Sequence, residues 1–165
     1  MIVSKIVRAL PAVVLVGTLG GTAVAGMPAA HADNRRLNES VAVNVYTIQQ
    51  HNDCETELEI NPQLQLAAQW HANDVLRNRA LGGDIGSDGS TTQIRANNAG
   101  FVGAVSETVA INPALAISGI EIMNQWYYRP DYMAIMSNCA NTQIGVWSEN
   151  SLDRSVVVAV YGQPG

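Results

Sequence analysis

Glu107, at the centre of Ser106-Glu107-Thr108-Val109-Ala110, is the carboxylate in this sequence best placed to do chemistry. It belongs to a run from Phe101 to Ile111 in which Phe101, Gly103, Val105, Glu107, Val109 and Ile111 share one strand face. Val102, Ala104, Ser106, Thr108 and Ala110 share the other, and both faces are largely apolar. A covered strand puts Glu107 among hydrophobic side chains, where an unpaired charge is costly. Such a carboxylate is a metal ligand, a general base at a desolvated site, or one half of an ion pair. Upstream, Gly86-Ser87-Asp88-Gly89-Ser90-Thr91 has the composition of a tight turn.

Other chemistries lack their residues. The glycines at 82–83 and 86–89 have neither the Walker spacing with its lysine nor the dinucleotide fingerprint. No Gly-x-Ser-x-Gly elbow occurs, and Ser106 points to the face opposite Glu107. His71 falls on an apolar helical stripe and reads as a satisfied structural histidine, while His51 falls at a helix end.

The elements that must position these groups are legible from periodicity. Leu37, Val41, Val45 and Ile48 mark one helix ending near His51-Asn52. Asn61-Pro62 opens a second, with Leu64, Ala68, His71 and Val75 on one stripe, ending near Leu81-Gly82-Gly83. Ser90 and Gln93 have capping-box spacing for a short third helix that stops at Ala99-Gly100. After the Glu107 strand, a helix following Asn112-Pro113 carries Leu115, Gly119, Ile122 and Trp126, and Arg129-Pro130 turns into Tyr132–Met136. Residues 142–148 and 155–161 read as a hairpin joined by a turn over residues 149–153. Val156-Val157-Val158-Ala159-Val160 has no polar face, so the hairpin needs helices above and below. The fold class is α/β, a three-layer helix-sheet-helix sandwich around a small antiparallel sheet.

Lys5 and Arg8 precede an apolar run from Ala9 to Ala25, and Ala30-His31-Ala32 offers small residues to a signal peptidase. Residues 1–32 are expected to be a cleaved export signal, since the run falls short of the roughly 20 apolar residues that span a bilayer, and no transmembrane anchor is expected after cleavage. Residues 33–165 then form one domain of ordinary size, expected to be monomeric. The full chain carries a net charge of −5. Loss of Lys5 and Arg8 leaves 7 arginines against 14 acidic residues, about −7, which argues against nucleic acid as a partner. Cys54 and Cys139 both survive cleavage, and an oxidising compartment permits either a disulfide or two buried thiols.

The order and spacing of the Gly86–Thr91 and Ser106–Ala110 segments resemble the secreted CAP superfamily: cysteine-rich secretory, venom-allergen and pathogenesis-related proteins and their bacterial SCP-type relatives. His51-Asn52, Leu64, Ala67-Ala68 and His71-Ala72 are similar to the opening helices of that family, and the resemblance runs from about Leu37 to Gly162. It implies the same three-layer architecture. It also implies a Cys54–Cys139 disulfide, from the placement of one cysteine after the first helix and the other before Ile144-Gly145-Val146.

Many members hold a divalent metal with two histidines and two acids. The matching positions here are Asp84, Glu107, Arg129 and Tyr132, and three of the four have changed type. Two carboxylates beside an arginine do not make a zinc site, so neither a metal nor another cofactor is expected. The four positions are expected to form a binding cleft in which the Arg129 guanidinium bridges Glu107 and Asp84. The alternative leaves Asp84 and Arg129 as solvent-facing loop residues.

The function the resemblance implies is a secreted protein, extracellular or cell-wall associated, that binds a lipid, cell-wall or host protein partner without catalysis. Trp126, Tyr127, Tyr128 and Tyr132, with Met123, Met133 and Met136, either line an apolar groove for such a ligand or pack the core. Two other classes compete: a hydrolase using Glu107 as general base, and a structural or antigenic protein with a vestigial cleft.

Overall fold

The computed structural model describes residues 29–165, with side chains from Asn34 onward. The expected export segment therefore lies outside the described residues except for backbone at 29–32, the first turn of helix α1 (Ala29–His51). No helix among the described residues is long and apolar enough to cross a membrane.

Helix α1 buries Val41 and Val45 and ends as the sequence indicates. Its last turn closes with Asp53 N–H on the Gln50 carbonyl and Cys54 N–H on the Gln49 carbonyl, the double bond of a Schellman motif. That motif needs a left-handed residue, and Asp53 supplies it at φ 58°. Left-handed backbone costs a residue with a Cβ about 1–2 kcal/mol, while glycine gives back about 0.4–1 kcal/mol in unfolded-chain entropy. Asp53→Gly is accordingly expected to raise stability by about 0.5 kcal/mol, read from the urea midpoint. A lowered midpoint would mean that the exposed aspartate side chain contributes more than its backbone strain costs.

Strand β1 (Glu59–Ile60) is two residues long and was not foreseen. Helix α2 (Pro62–Arg77) begins as its sequence dictates, with the Asn61 side chain accepting from Gln63 N–H at 2.8 Å and Leu64 N–H at 3.1 Å. It ends before the expected Leu81. Helix α3 (Thr92–Asn98) is capped by Thr91, not Ser90, because the Ser90 hydroxyl accepts from Arg95 instead.

Strand β2 (Gly103–Asn112) starts two residues later than the alternation suggests, since Phe101 N–H closes the end of α3 on the Ala96 carbonyl. The stretch after Asn112-Pro113 is a loop, and helix α4 (Gly119–Tyr127) starts at a Ser118 cap. Helix α5 (Pro130–Met136) follows. Strands β3 (Gln143–Ser151) and β4 (Arg154–Pro164) pair down to Ser151 opposite Arg154, which leaves Leu152 and Asp153 as a two-residue turn where five residues were expected.

The sheet order is β1-β3-β4-β2, antiparallel except for the β1–β3 pair. Parity along β4 divides the molecule. Val156, Val158 and Val160 face α2 and α3 with Leu64, Ala67, Ala68 and Val109. Val157, Ala159 and Tyr161 face α1, α4 and α5 with Val45, Ile122, Trp126, Tyr132 and Met136. This is the three-layer α/β sandwich read from the sequence. Small residues set the α2–sheet distance: a Cβ on Gly145 would fall 2.0 Å from Gln65 N. On the outer edge of β2, side chains replace a neighbouring strand. Gln93 accepts from Val105 N–H, the Tyr132 hydroxyl from Val109 N–H, and Gln125 from Ile111 N–H, so helices α3, α5 and α4 are each fastened to the strand that carries Glu107.

Candidate functional site

Glu107 lies on the α2–α3 side of β2, between Val105 and Val109, with 1% of its side chain exposed. From α2, the fully buried His71 places Nδ1 at 2.7 Å from Glu107 Oε1. From α3, Arg95 places Nη2 at 3.1 Å from Oε2 and 3.2 Å from Oε1. The same Nη2 is 2.8 Å from the Asp84 carbonyl oxygen, and Nη1 is 2.8 Å from the Ser90 carbonyl oxygen. Arg95 thus ties the Gly86–Thr91 segment to the buried carboxylate. Nη2 also stands 2.7 Å from His71 Nδ1, but that nitrogen has a single hydrogen or a single lone pair and serves one partner. The carboxylate is the strongest acceptor present, so we assign Nδ1–H as donor to Glu107. His71 Nε2 and Arg95 Nε are both buried and have no hydrogen-bond partner among the described residues.

Over this cluster the chain makes a turn held to α2 by Asp74, whose Oδ2 accepts from Ser87 N–H and Oδ1 from the Ser87 hydroxyl, each at 2.7 Å. Burial alone would raise the Asp74 carboxyl. The bonds from Ser87 and Asn78 together outweigh it and hold the group below its ordinary value.

The four expected cleft residues do not converge. Glu107 is buried as foreseen, but its cationic partner is Arg95, not Arg129. The sheet is the reason: Glu107 faces α2 and α3, whereas Arg129 is the residue preceding α5 in the opposite layer. Arg129 is exposed, donates from Nε to Asp131 Oδ1 at 3.2 Å, and lies 3.6 Å over the Tyr132 ring. Tyr132 packs edge-on to Trp126 in the core, with its hydroxyl on the β2 edge. Asp84 is exposed and reaches the cluster only through its backbone carbonyl.

The aromatic and methionine cluster divides between core and surface. Trp126 and Met136 are fully buried and Tyr128 points outward, while Tyr127 and Met133 line a hollow of about 520 Å³ with Ile48 and His51 at the end of α1. His71, read as a satisfied core histidine, is satisfied at one nitrogen only. Arg95 was missed, although Thr92, Arg95 and Ala96 fall at the spacing of one buried face of a short helix.

The metal that the CAP resemblance implies does not fit these residues. Both Glu107 oxygens already accept from Arg95, a guanidinium occupies the adjoining space, and no group of three potential ligands occurs among the described residues.

The chain is 18% identical to an outer surface protein from Borrelia burgdorferi, with a TM-score of 0.69 over 81% of this chain and 96% of that one. A second similar structure is an extracellular protein containing an SCP domain from Bacillus anthracis, at 13% identity and TM-score 0.67. A third is a cysteine-rich secretory protein from Staphylococcus aureus, at 10% identity and TM-score 0.53. The match covers 79% and 76% of this chain and spans 41% and 39% of those two. No protein-family model and no curated protein matches the sequence. The chain has the CAP, or SCP-domain, fold, in a sequence far diverged from those structures.

Proposed function

We propose that this chain is an exported, non-catalytic binding protein whose ligand is an elongated apolar molecule, an acyl chain being the simplest. The observation that carries the reading is a groove between α1 and the β1–β3 edge of the sheet. Two mostly apolar hollows of about 410 and 460 Å³ meet at Glu39 and Ile60 there. Val43, Tyr46 and Ile60 expose substantial apolar surface along it, a loss that ligand burial would recover. Charge orients the ligand: Glu57 lines one end, Glu39 the middle, and Arg35 the other end beside Glu149, with Arg35 Nε 3.9 Å from Glu39 Oε1. Arg35 is the one cation in the lining among the described residues, so a carboxylate head belongs there. The basic start, apolar run and small-residue site before Asp33 support export. Glu107 supports the absence of catalysis, because a carboxylate already held by His71 and Arg95 is poorly placed to take a substrate proton.

Calorimetric titration with fatty acids of increasing length tests the proposal. Affinity is expected to rise about fourfold per added methylene, the equivalent of about 0.8 kcal/mol. Ile60→Asp should weaken palmitate by at least about tenfold, and Arg35→Glu should weaken palmitate more than uncharged monopalmitin. Absence of saturable binding to the unmodified protein, or a chain-length series that stays flat, would remove the groove as a ligand site.

A further inference from the structure

We infer that a second site lies on the outer face of α2, around Trp70, and that it takes an uncharged oligosaccharide. Trp70 is 41% exposed on a helix whose opposite stripe is fully buried. Two hollows, of about 250 and 480 Å³, flank its indole and meet at Trp70 and Asp74. They share no lining residue with the groove beside α1.

The lining selects the ligand. Apart from the indole, the larger hollow is bounded by Gln69, Asn73, Asp74, Arg77 and Asn78, all planar groups that donate or accept in pairs. A pyranose ring presents a C–H face that packs on an indole and a rim of hydroxyls, each both donor and acceptor, that such groups read. An acyl chain would find no aliphatic wall in that hollow. With Arg95 committed to Glu107, Asp74 and Asp88 stand against Arg77, a surplus of one negative charge that disfavours an acidic ligand.

The smaller hollow adds an independent pointer. Two of its wall residues, His71 and Arg95, each hold a buried nitrogen with no partner among the described residues. A hydroxyl group, donor and acceptor at once, can pair with either nitrogen, whichever way the His71 ring is protonated. The rim is already ordered, because Asp74 pins Ser87, and Asp88 Oδ1 accepts from Ser90 N–H at 2.9 Å. Little loop entropy would be lost on binding.

An array of neutral, acidic and amino oligosaccharides, probed with the unmodified protein and with Trp70→Ala and Trp70→Phe, tests the site. Neutral oligosaccharides should retain the unmodified protein. Trp70→Ala should lose at least about tenfold in affinity and Trp70→Phe should fall between, while both keep the native circular dichroism spectrum. Ile60→Asp should bind glycans normally, which separates this site from the acyl groove. Retention of Trp70→Ala equal to that of the unmodified protein, binding confined to acidic or amino glycans, or no retention by any glycan would each overturn the inference.

Discussion

Arg95→Met is expected to lower the unfolding free energy by roughly 3–5 kcal/mol, the cost of stripping one partner from a buried ion pair. That is a large part of the roughly 5–15 kcal/mol available to a domain of this size. The Arg95 side chain is 6% exposed and reaches the Glu107 carboxylate, the Ser90 carbonyl and the Asp84 carbonyl together, so its loss leaves a buried charge held by His71 alone and takes the donor from the Asp84 carbonyl, while Ser90 keeps the Gly86 N–H. Lysine should not rescue it, because a point charge cannot span acceptors on three segments. Glu107→Gln alone should cost about 1–3 kcal/mol. The double variant should be less destabilised than the sum of the two, since removing the carboxylate's charge removes most of the reason Arg95 is needed. Arg129→Ala is the contrast: its exposed pair with Asp131 predicts a change within about 1 kcal/mol. Urea unfolding of the five variants, Arg95→Lys among them, decides the matter. Arg95→Met within about 1 kcal/mol of the parent, or Arg129→Ala costing more than Arg95→Met, would show that the arginine on α3 does not hold the site together.

The contrast between these two arginines shows where sequence reading reached its limit. Periodicity and caps are local properties, so the Asn61 cap, the α2 stripe, the hairpin and the burial of Glu107 were all legible. Which arginine meets Glu107 is decided by the face of the sheet each helix covers, and that depends on the path of the chain across the layers. Parity placed Glu107 on one face, but nothing local said that α5 would cross to the other. Helix α3 is only seven residues long, too short for a stripe to stand out, which is why Arg95 was not singled out. Strand β1 escaped for a similar reason, since two residues carry no alternation. The groove beside α1 was invisible because it is formed by segments well separated along the chain, Val43 against Ile60 and Asn38 against Ser148. The cleft positions carried over by resemblance assumed that matching spacing preserves convergence, whereas Arg129 pairs with Asp131, the Tyr132 hydroxyl goes to the β2 edge, and Asp84 is exposed.

Removing the disulfide is expected to cost about as much as losing Arg95, by a different route. Cys54 and Cys139 are bonded, with Cα atoms 5.1 Å apart, and the bond closes a loop across a sequence separation of 85. On the chain-entropy model such a loop restricts the unfolded ensemble by roughly 4–5 kcal/mol, so the Cys54→Ser, Cys139→Ser protein should lose stability of that order. The native state should change little. The Gln49 side chain, buried beside the bridge, also joins α1 to the β3 approach by donating to the Asn138 and Asn141 carbonyls, at 3.3 and 2.9 Å. The two segments therefore stay in register without the bond, and the loss should appear as a lower urea midpoint with a larger m-value, because an uncrosslinked unfolded chain exposes more surface. The same measurement under reducing conditions should reproduce the double-serine result in the unmodified protein. A midpoint shift equivalent to less than about 1 kcal/mol would mean that residual structure already confines the loop in the unfolded chain. A shift of the expected size with an unchanged m-value would place the effect in the folded state, as lost packing around the buried Cys54, instead of in the unfolded chain.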